Sequence, residues 1–372
     1  MPKVNVLIVD DSAVIRRLVA TVLDGDADIH VVGTANNGSI ALDRIAELHP
    51  DLVTLDVEMP IMDGLTAMRE IHRRWPTLPV IMFSTLTERG AAATIDALVS
   101  GASDYVTKPS NVGSFAAGVD AVKSQLVPKI KALCHRTLTP NRPQAPAAPH
   151  AVTTSTTPVS RSAPVALANR HARVHRPDIL VIGASTGGPD ALCTVMRDIP
   201  ANFPLPIAIV QHMPPLFTKM FADRLDRICG LTVKEAEGGE EVRPGTVWVA
   251  PGDHHLELRR EGGGIRTHLS NAAPENYCRP AVDVLFRSAA QIYGGAVLAC
   301  VLTGMGHDGG VGSKSIVAAG GTVIVQDEKT SVVWGMPGTV AMAGSAAAVL
   351  PLDRIADALN QAARSNALVG TP

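Results

Sequence analysis

Ile179-Leu-Val-Ile-Gly183-Ala-Ser185-Thr-Gly187-Gly188-Pro189 reads as a buried strand that breaks into a glycine-rich turn and then enters a helix. Pro189 suits the first helical turn, where a missing N–H costs nothing. Two further segments have the same texture. Gln211-His212-Met-Pro214 follows the apolar run Ile207–Val210, and Thr303-Gly-Met305-Gly-His-Asp308-Gly309 follows Val297–Leu302. A serine, a histidine and an aspartate are thereby each expected just past the C-terminal end of a strand. In an open parallel α/β sheet these ends form one crest, where ligands bind.

Working outward, Val247–Ala250 and Thr322–Val325 supply further strands, with helical segments between. Leu256–Arg260 and Gly264–Leu269, joined across Glu261-Gly-Gly, predict an antiparallel hairpin. The N-terminal part repeats the α/β alternation: strands at Val4–Val9, Asp51–Leu55, Val80–Phe83 and Tyr105–Val106, with an amphipathic helix over Ala13–Leu23. Between the two parts, from about Cys134 to Arg176, the chain carries Pro140, Pro143, Pro146, Pro149, Pro158 and Pro164 with several arginines and no acidic residue. Such a stretch cannot bury enough apolar surface to order itself, so it predicts a flexible linker. The expectation is two doubly wound parallel-sheet domains, flavodoxin-like and Rossmann-like: 1–125, a linker over 126–176, and 177–372.

Composition narrows the function. Aromatics are only 3% of the 372 residues, so the cores must be built from Val, Ile, Leu and Ala, as strands buried on both faces require. A net charge of -2 argues against nucleic-acid binding. The five cysteines lack a CxxC pattern and predict free thiols in a reducing compartment, not a zinc site or disulfide framework. The start of the chain has no secretory pattern, and no apolar run is long enough for a bilayer span. A cytoplasmic chain without membrane insertion is expected.

In the N-terminal part, Asp10, Asp11 and Asp56 fall at strand ends, where three carboxylates repel one another unless a hard cation sits among them. Ser84 and Lys108 reach the same crest, giving a cation, an ammonium and a hydroxyl around one aspartate, a set suited to phosphoryl transfer. The segments Val-Asp10-Asp11-Ser, Leu55-Asp56-Val-Glu-Met-Pro60, Ser84 and Tyr105-Val-Thr-Lys108-Pro109 together resemble a response-regulator receiver domain. The resemblance implies Asp56 as phosphoacceptor and magnesium held by Asp10, Asp11, Asp56 and the Glu58 main-chain carbonyl. It also implies Ser84 and Lys108 as sensors of the phosphoryl group and Tyr105 as an aromatic switch.

In the C-terminal part, Gly183-Ala-Ser185-Thr-Gly187 matches the nucleophile-elbow pattern G-x-S-x-G, although the same turn could cradle phosphate at a helix N-terminus. The order Ser185, His212, Asp308 differs from that of ordinary α/β-hydrolases, but a triad is defined by geometry. His254, His255 and His307 compete with His212 as bases, and Asp308 could instead cap the helix beginning near Val311. The Met305 amide, among glycines, is a candidate oxyanion donor.

Those segments, with Val249-Ala-Pro-Gly-Asp-His254, Arg279-Pro-Ala-Val-Asp283 and Gly335-Met-Pro-Gly, resemble the chemotaxis-type protein-glutamate methylesterase family. The likeness implies Ser185 as nucleophile, His212 as base and Asp308 as its orienting carboxylate, with no cofactor for the ester hydrolysis. It also implies deamidation of receptor glutamines, methylated chemoreceptor helices as substrate, a histidine kinase as phosphodonor, and a monomer.

Overall fold

In the computed structural model, residues 3–109, 115–135 and 175–364 are described. The first domain is a five-stranded parallel sheet in the order β2-β1-β3-β4-β5, built from β1 (Val4–Val9), β2 (Ile29–Ala35), β3 (Leu52–Asp56), β4 (Val80–Ser84) and β5 (Asp104–Thr107). Helices α1 (Ala13–Asp24), α2 (Gly38–Leu48), α3 (Gly64–Arg74), α4 (Glu88–Val99) and α5 (Phe115–Leu133) flank it, so this layer continues past residue 125. Most of the linker expected over 126–176 lies outside the described residues. Ser12, not Asp10 or Asp11, caps α1, its side chain accepting from the Ile15 N–H. Both aspartates are thus left for the crest.

The second domain holds a seven-stranded sheet whose pairings are all parallel, in the order β14-β13-β12-β6-β7-β9-β8. Its strands are β6 (Ile179–Ala184), β7 (Ile207–Gln211), β8 (Thr232–Glu235), β9 (Thr246–Val249), β12 (Val297–Val301), β13 (Thr322–Gln326) and β14 (Ala348–Leu350). The hairpin β10 (His255–Glu261) and β11 (Gly264–Ser270) pairs antiparallel, as its sequence predicts. Helices α6 (Gly188–Asp198), α7 (Phe217–Ile228), α8 (Val282–Tyr293), α9 (Gly310–Ala318), α10 (Met336–Met342) and α11 (Leu352–Arg364) complete the layers. Every residue of β6, β7 and β12 is buried, as expected of central parallel strands.

From β6 the chain winds outward through β7 to the edge strand β8, steps back to β9, then crosses to place β12 on the other side of β6. The switch point between β6 and β12 opens a crevice at their C-terminal ends, which is where Ser185 and Asp308 stand.

The two domains pack directly on each other. Helix α4 lies against α6 and α7, and buried apolar residues including Ile95, Leu98, Val195 and Phe221 belong to one continuous cluster. The Tyr105 ring, only 8% exposed, stacks on Phe217 of α7 with centroids 4.8 Å apart and planes 12° from parallel. Such a pair contributes about 0.5–1.5 kcal/mol beyond its buried area.

Candidate active site and receiver crest

Three backbone turns converge at the crevice. Ser185 sits where β6 ends, its N–H donating to Thr303 O (3.0 Å) and its carbonyl accepting from Gly188 N (2.7 Å) and Gln211 Nε2 (3.0 Å). Gly187, at φ 76°, has the left-handed conformation that lets the chain turn from strand into α6. Gly304 approaches so closely that a Cβ there would lie 2.9 Å from Ser185 Cβ and 2.3 Å from Met336 Sδ. Only glycine lets the 303–309 loop lie against the serine.

His212 and Asp308 meet side chain to side chain, Nε2 to Oδ2 at 2.8 Å. Asp308 is held by further donors: Val282 N (2.6 Å) on Oδ2, and Asp283 N (3.0 Å), Gly309 N (2.9 Å) and Asn276 Nδ2 (3.0 Å) on Oδ1. It does not cap α9, whose N-cap is Gly309. Burial alone would raise the Asp308 pKa, but His212 and these backbone N–H groups outweigh it and bring it down to about 2. Burial also opposes a charge on His212, yet the Asp308 carboxylate and the Cys278 sulfur overcome it and raise the imidazole to about 10.

The competing histidines are otherwise engaged. His255 is buried, with Nε2 against Ala273 O and Nδ1 accepting from Ala281 N. His254 Nδ1 contacts Gly252 O at 3.3 Å. His307 is exposed at the rim of the cleft.

Ser185, His212, Met305 and Asp308 line one cleft of about 400 Å³. Its other wall comes from the first domain, through Asp104, Tyr105, Gln125 and Lys129. The contact reaches the serine turn itself. Thr186 Oγ1 donates to Asp104 Oδ2 (2.5 Å), and Gly187 N donates to Ser103 O (3.1 Å). Lys129 Nζ holds Asp104 Oδ1 (2.7 Å) and Tyr105 O (2.8 Å) from behind.

On the crest of the first sheet, ligand atoms of Asp10, Asp11 and Asp56 all lie within 4.8 Å of one another. Lys108 Nζ bridges Asp10 Oδ2 and Asp56 Oδ1, each at 2.8 Å. Asp56 Oδ2 is buried and has no hydrogen-bond partner, an orphaned acceptor that a cation would satisfy. Burial first, and Asp10 after it, raise the Asp56 carboxyl to about 6 despite Lys108. Ser84 stands at the end of β4, but its hydroxyl is turned to the carbonyls of Thr85 and Gly90, both at 3.2 Å. Glu58 donates its N–H to Asp56 Oδ1 (3.4 Å), while its exposed side chain pairs with Arg89.

The family descriptions "Response regulator receiver domain" and "CheB methylesterase" match residues 6–120 and 180–359. A curated relative from Nocardioides sp., named protein-glutamate methylesterase/protein-glutamine glutaminase, is 55% identical over 357 residues, covering 95% of this chain and 93% of its own length. The chain belongs to the CheB methylesterase family. A second relative of the same name, from Trichodesmium erythraeum, is 47% identical and covers 96% of this chain and 98% of its own length. The crystal structure of the Thermotoga maritima CheB methylesterase catalytic domain shares 49% identity, covers 50% of this chain and 98% of that chain, and has a TM-score of 0.49. By its two matching family models this CheB-family chain joins a receiver to a methylesterase domain, and among its described residues no helix is long and apolar enough to cross a membrane.

Sequence reasoning missed Asn276 and Cys278. Asn276 bridges Asp308 and Asp283, and Cys278 Sγ stands 3.4 Å from His212 Nδ1. Their one signal is position, just ahead of the Arg279-Pro-Ala-Val-Asp283 motif.

Proposed function

We propose that this chain is a cytoplasmic, phosphorylation-activated protein-glutamate methylesterase and protein-glutamine glutaminase acting on chemoreceptor helices. The observation that carries the reading is the His212–Asp308 pair at 2.8 Å, set in one cleft with the Ser185 turn. Ser185 attacks the γ-glutamyl ester carbonyl, and His212 takes its proton. Asp308 stabilises the imidazolium, and the Met305 amide serves the developing oxyanion. His212 then protonates the departing methanol, and water releases the glutamate from the acyl-enzyme. With an amide substrate the same steps release ammonia. The test is methanol release from methylated receptor membranes with and without a phosphodonor. A chain that releases none under either condition refutes the assignment.

The receiver reading has its own support in the acidic cluster and the orphaned Asp56 Oδ2. Asp10, Asp11 and Asp56, with the Glu58 carbonyl, would hold magnesium, which when bound neutralises charge on a transferring phosphoryl group. Asp56 accepts the phosphoryl group, a histidine kinase being its source, and Lys108 pairs with the phosphorylated carboxylate. Ser84 must turn from its two carbonyls to take part, and Tyr105 must leave Phe217 to act as a switch. Radiolabelled phosphodonor is expected to label wild type but not Asp56→Asn, and chelator is expected to abolish the labelling. Labelled Asp56→Asn overturns the phosphoacceptor assignment.

Asp56 also predicts a stability effect. A carboxyl raised to about 6 in the folded state costs stability above that pH, and the cost disappears as pH falls towards the unfolded value near 4. Metal-free wild type should therefore gain on the order of 3 kcal/mol or less from this group between pH 7 and pH 4. Asp56→Asn should melt higher than wild type at neutral pH, with the difference shrinking in acid. Thermal unfolding at both pH values in chelator checks this, and an Asp56→Asn protein that melts lower at neutral pH contradicts it.

A further inference from the structure

The segment Glu275–Cys278 is a tight two-residue turn closed by reciprocal backbone bonds, Cys278 N to Glu275 O (2.8 Å) and Glu275 N to Cys278 O (3.1 Å). Its central residues, Asn276 and Tyr277, have φ of 51° and 63°, a conformation that asparagine tolerates and tyrosine rarely adopts. Three ties hold it there. Glu275 pairs with Arg287 of α8 (2.5 Å), Asn276 Nδ2 reaches both Asp283 Oδ2 and Asp308 Oδ1 at 3.0 Å, and Cys278 Sγ lies 3.4 Å from His212 Nδ1. A strained turn is thereby anchored to both members of the His212–Asp308 pair.

The atom that Cys278 touches is the informative one. Nε2 of His212 is engaged by Asp308, so a proton leaving Ser185 can go only to Nδ1. Among the described residues no hydrogen bond joins Ser185 Oγ to His212, and the polar contact of Nδ1 is the thiol. We propose that Cys278 is a positioning residue for the catalytic base: its sulfur holds the His212 ring through Nδ1 and keeps that nitrogen oriented to take the Ser185 proton, with and without phosphorylation. The proposal rests on the reading of His212 as the base. With Asp308 on one nitrogen and sulfur on the other, the ring cannot rotate, and Nε2–H stays directed at the carboxylate, the tautomer the reaction requires. Both contacts also favour the charged imidazolium. The other titratable groups facing this ring are His307 and Tyr277 at the rim, with Asp104, Tyr105 and Lys129 across the cleft.

The test compares full-length wild type, Cys278→Ala and Cys278→Ser, all with phosphodonor, in initial methanol release across about pH 6 to about pH 10. Removing a contact that favours the imidazolium should move the acid limb of the kcat profile of Cys278→Ala to lower pH by about half a unit or more. Its plateau kcat should fall roughly threefold to tenfold with KM little changed, because the ring loses its orientation and substrate binding is untouched. Cys278→Ser, which restores a polar contact, should lie between the two. An acid limb in Cys278→Ala that superimposes on wild type overturns the proposal.

A second measurement modifies the wild-type protein itself. Cys134, Cys193 and Cys300 are buried, whereas Cys229 and the cleft residue Cys278 are both half-buried, so iodoacetamide should reach these two, and Cys278→Ser treated identically separates them. The sulfur attacks the methylene carbon, iodide leaves, the thiol proton goes to solvent, and the new carbamidomethyl group crowds Nδ1. Wild type with Cys278 fully modified, verified by peptide mass, should lose at least about tenfold in rate, while Cys278→Ser treated identically keeps its rate. Fully modified wild type with an undiminished rate overturns the proposal. His212→Ala is run alongside. Near-normal release from it overturns the base assignment and this proposal together, whereas an inactive His212→Ala beside an unmoved acid limb overturns this proposal alone.

Discussion

Replacing Ser185 with alanine is expected to lower methanol release by about three to six orders of magnitude while leaving the fold intact. The substitution removes one oxygen from a turn whose geometry is set by other atoms. The Ser185 N–H and carbonyl are fixed by Thr303, Gly188 and Gln211, none of which contacts the hydroxyl in doing so. His212→Ala is expected to cost a comparable factor, since members of a nucleophile–base unit fail together and not additively. It should also destabilise the protein, because Asp308 loses a charged partner in a buried place. Rates and thermal unfolding measured together separate the two effects. A His212→Ala enzyme that folds and retains near-normal release shows that the base is another group, and His307 at the cleft rim is then the nearest alternative.

The parts of this site that are legible in the sequence share one cause. Ser185, His212 and Asp308 each follow a strand of small apolar residues, and a parallel sheet brings the C-terminal ends of its strands to one crest. The same logic placed Asp10, Asp56 and Lys108 together. Edge strands are harder to read. β2 alternates buried ends with an exposed and half-buried middle, and β8 and β14 are short, so none has the continuous apolar run of a central strand. Side-chain direction is also invisible to strand logic: Ser84 stands at the right strand end yet turns its hydroxyl to backbone carbonyls. Least legible are contacts between surfaces remote in sequence. Nothing periodic marks Tyr105 as the partner of Phe217, Thr186 as the partner of Asp104, or Cys278 as a neighbour of His212.

Those remote contacts carry the second large expected effect. If the receiver wall over the cleft limits access to Ser185, observed activity is the open-state activity scaled by the fraction of molecules that are open. A fragment beginning at His175 lacks Asp104, Tyr105, Gln125 and Lys129, and with them one side of the cleft. It should be at least about tenfold faster than the unphosphorylated full-length chain and indifferent to phosphodonor. The closed state is held by a stacked aromatic pair, an apolar α4 interface and a hydrogen bond onto the residue beside the nucleophile. The half-buried Arg224–Asp96 ion pair at 3.2 Å, its side chains 34% and 45% open to solvent, adds little, since pairs still wetted to this degree contribute about 0–1 kcal/mol. Asp104→Ala in the full-length chain should therefore raise basal release more than Arg224→Ala does. It removes the acceptor of Thr186 Oγ1 and the carboxylate that anchors Lys129, without altering Ser185, His212 or Asp308. Initial methanol release from methylated receptor, measured for all four proteins with and without phosphodonor, decides the matter. A fragment no faster than the resting full-length chain rules out occlusion and leaves direct stimulation by the phosphorylated receiver as the mode of control.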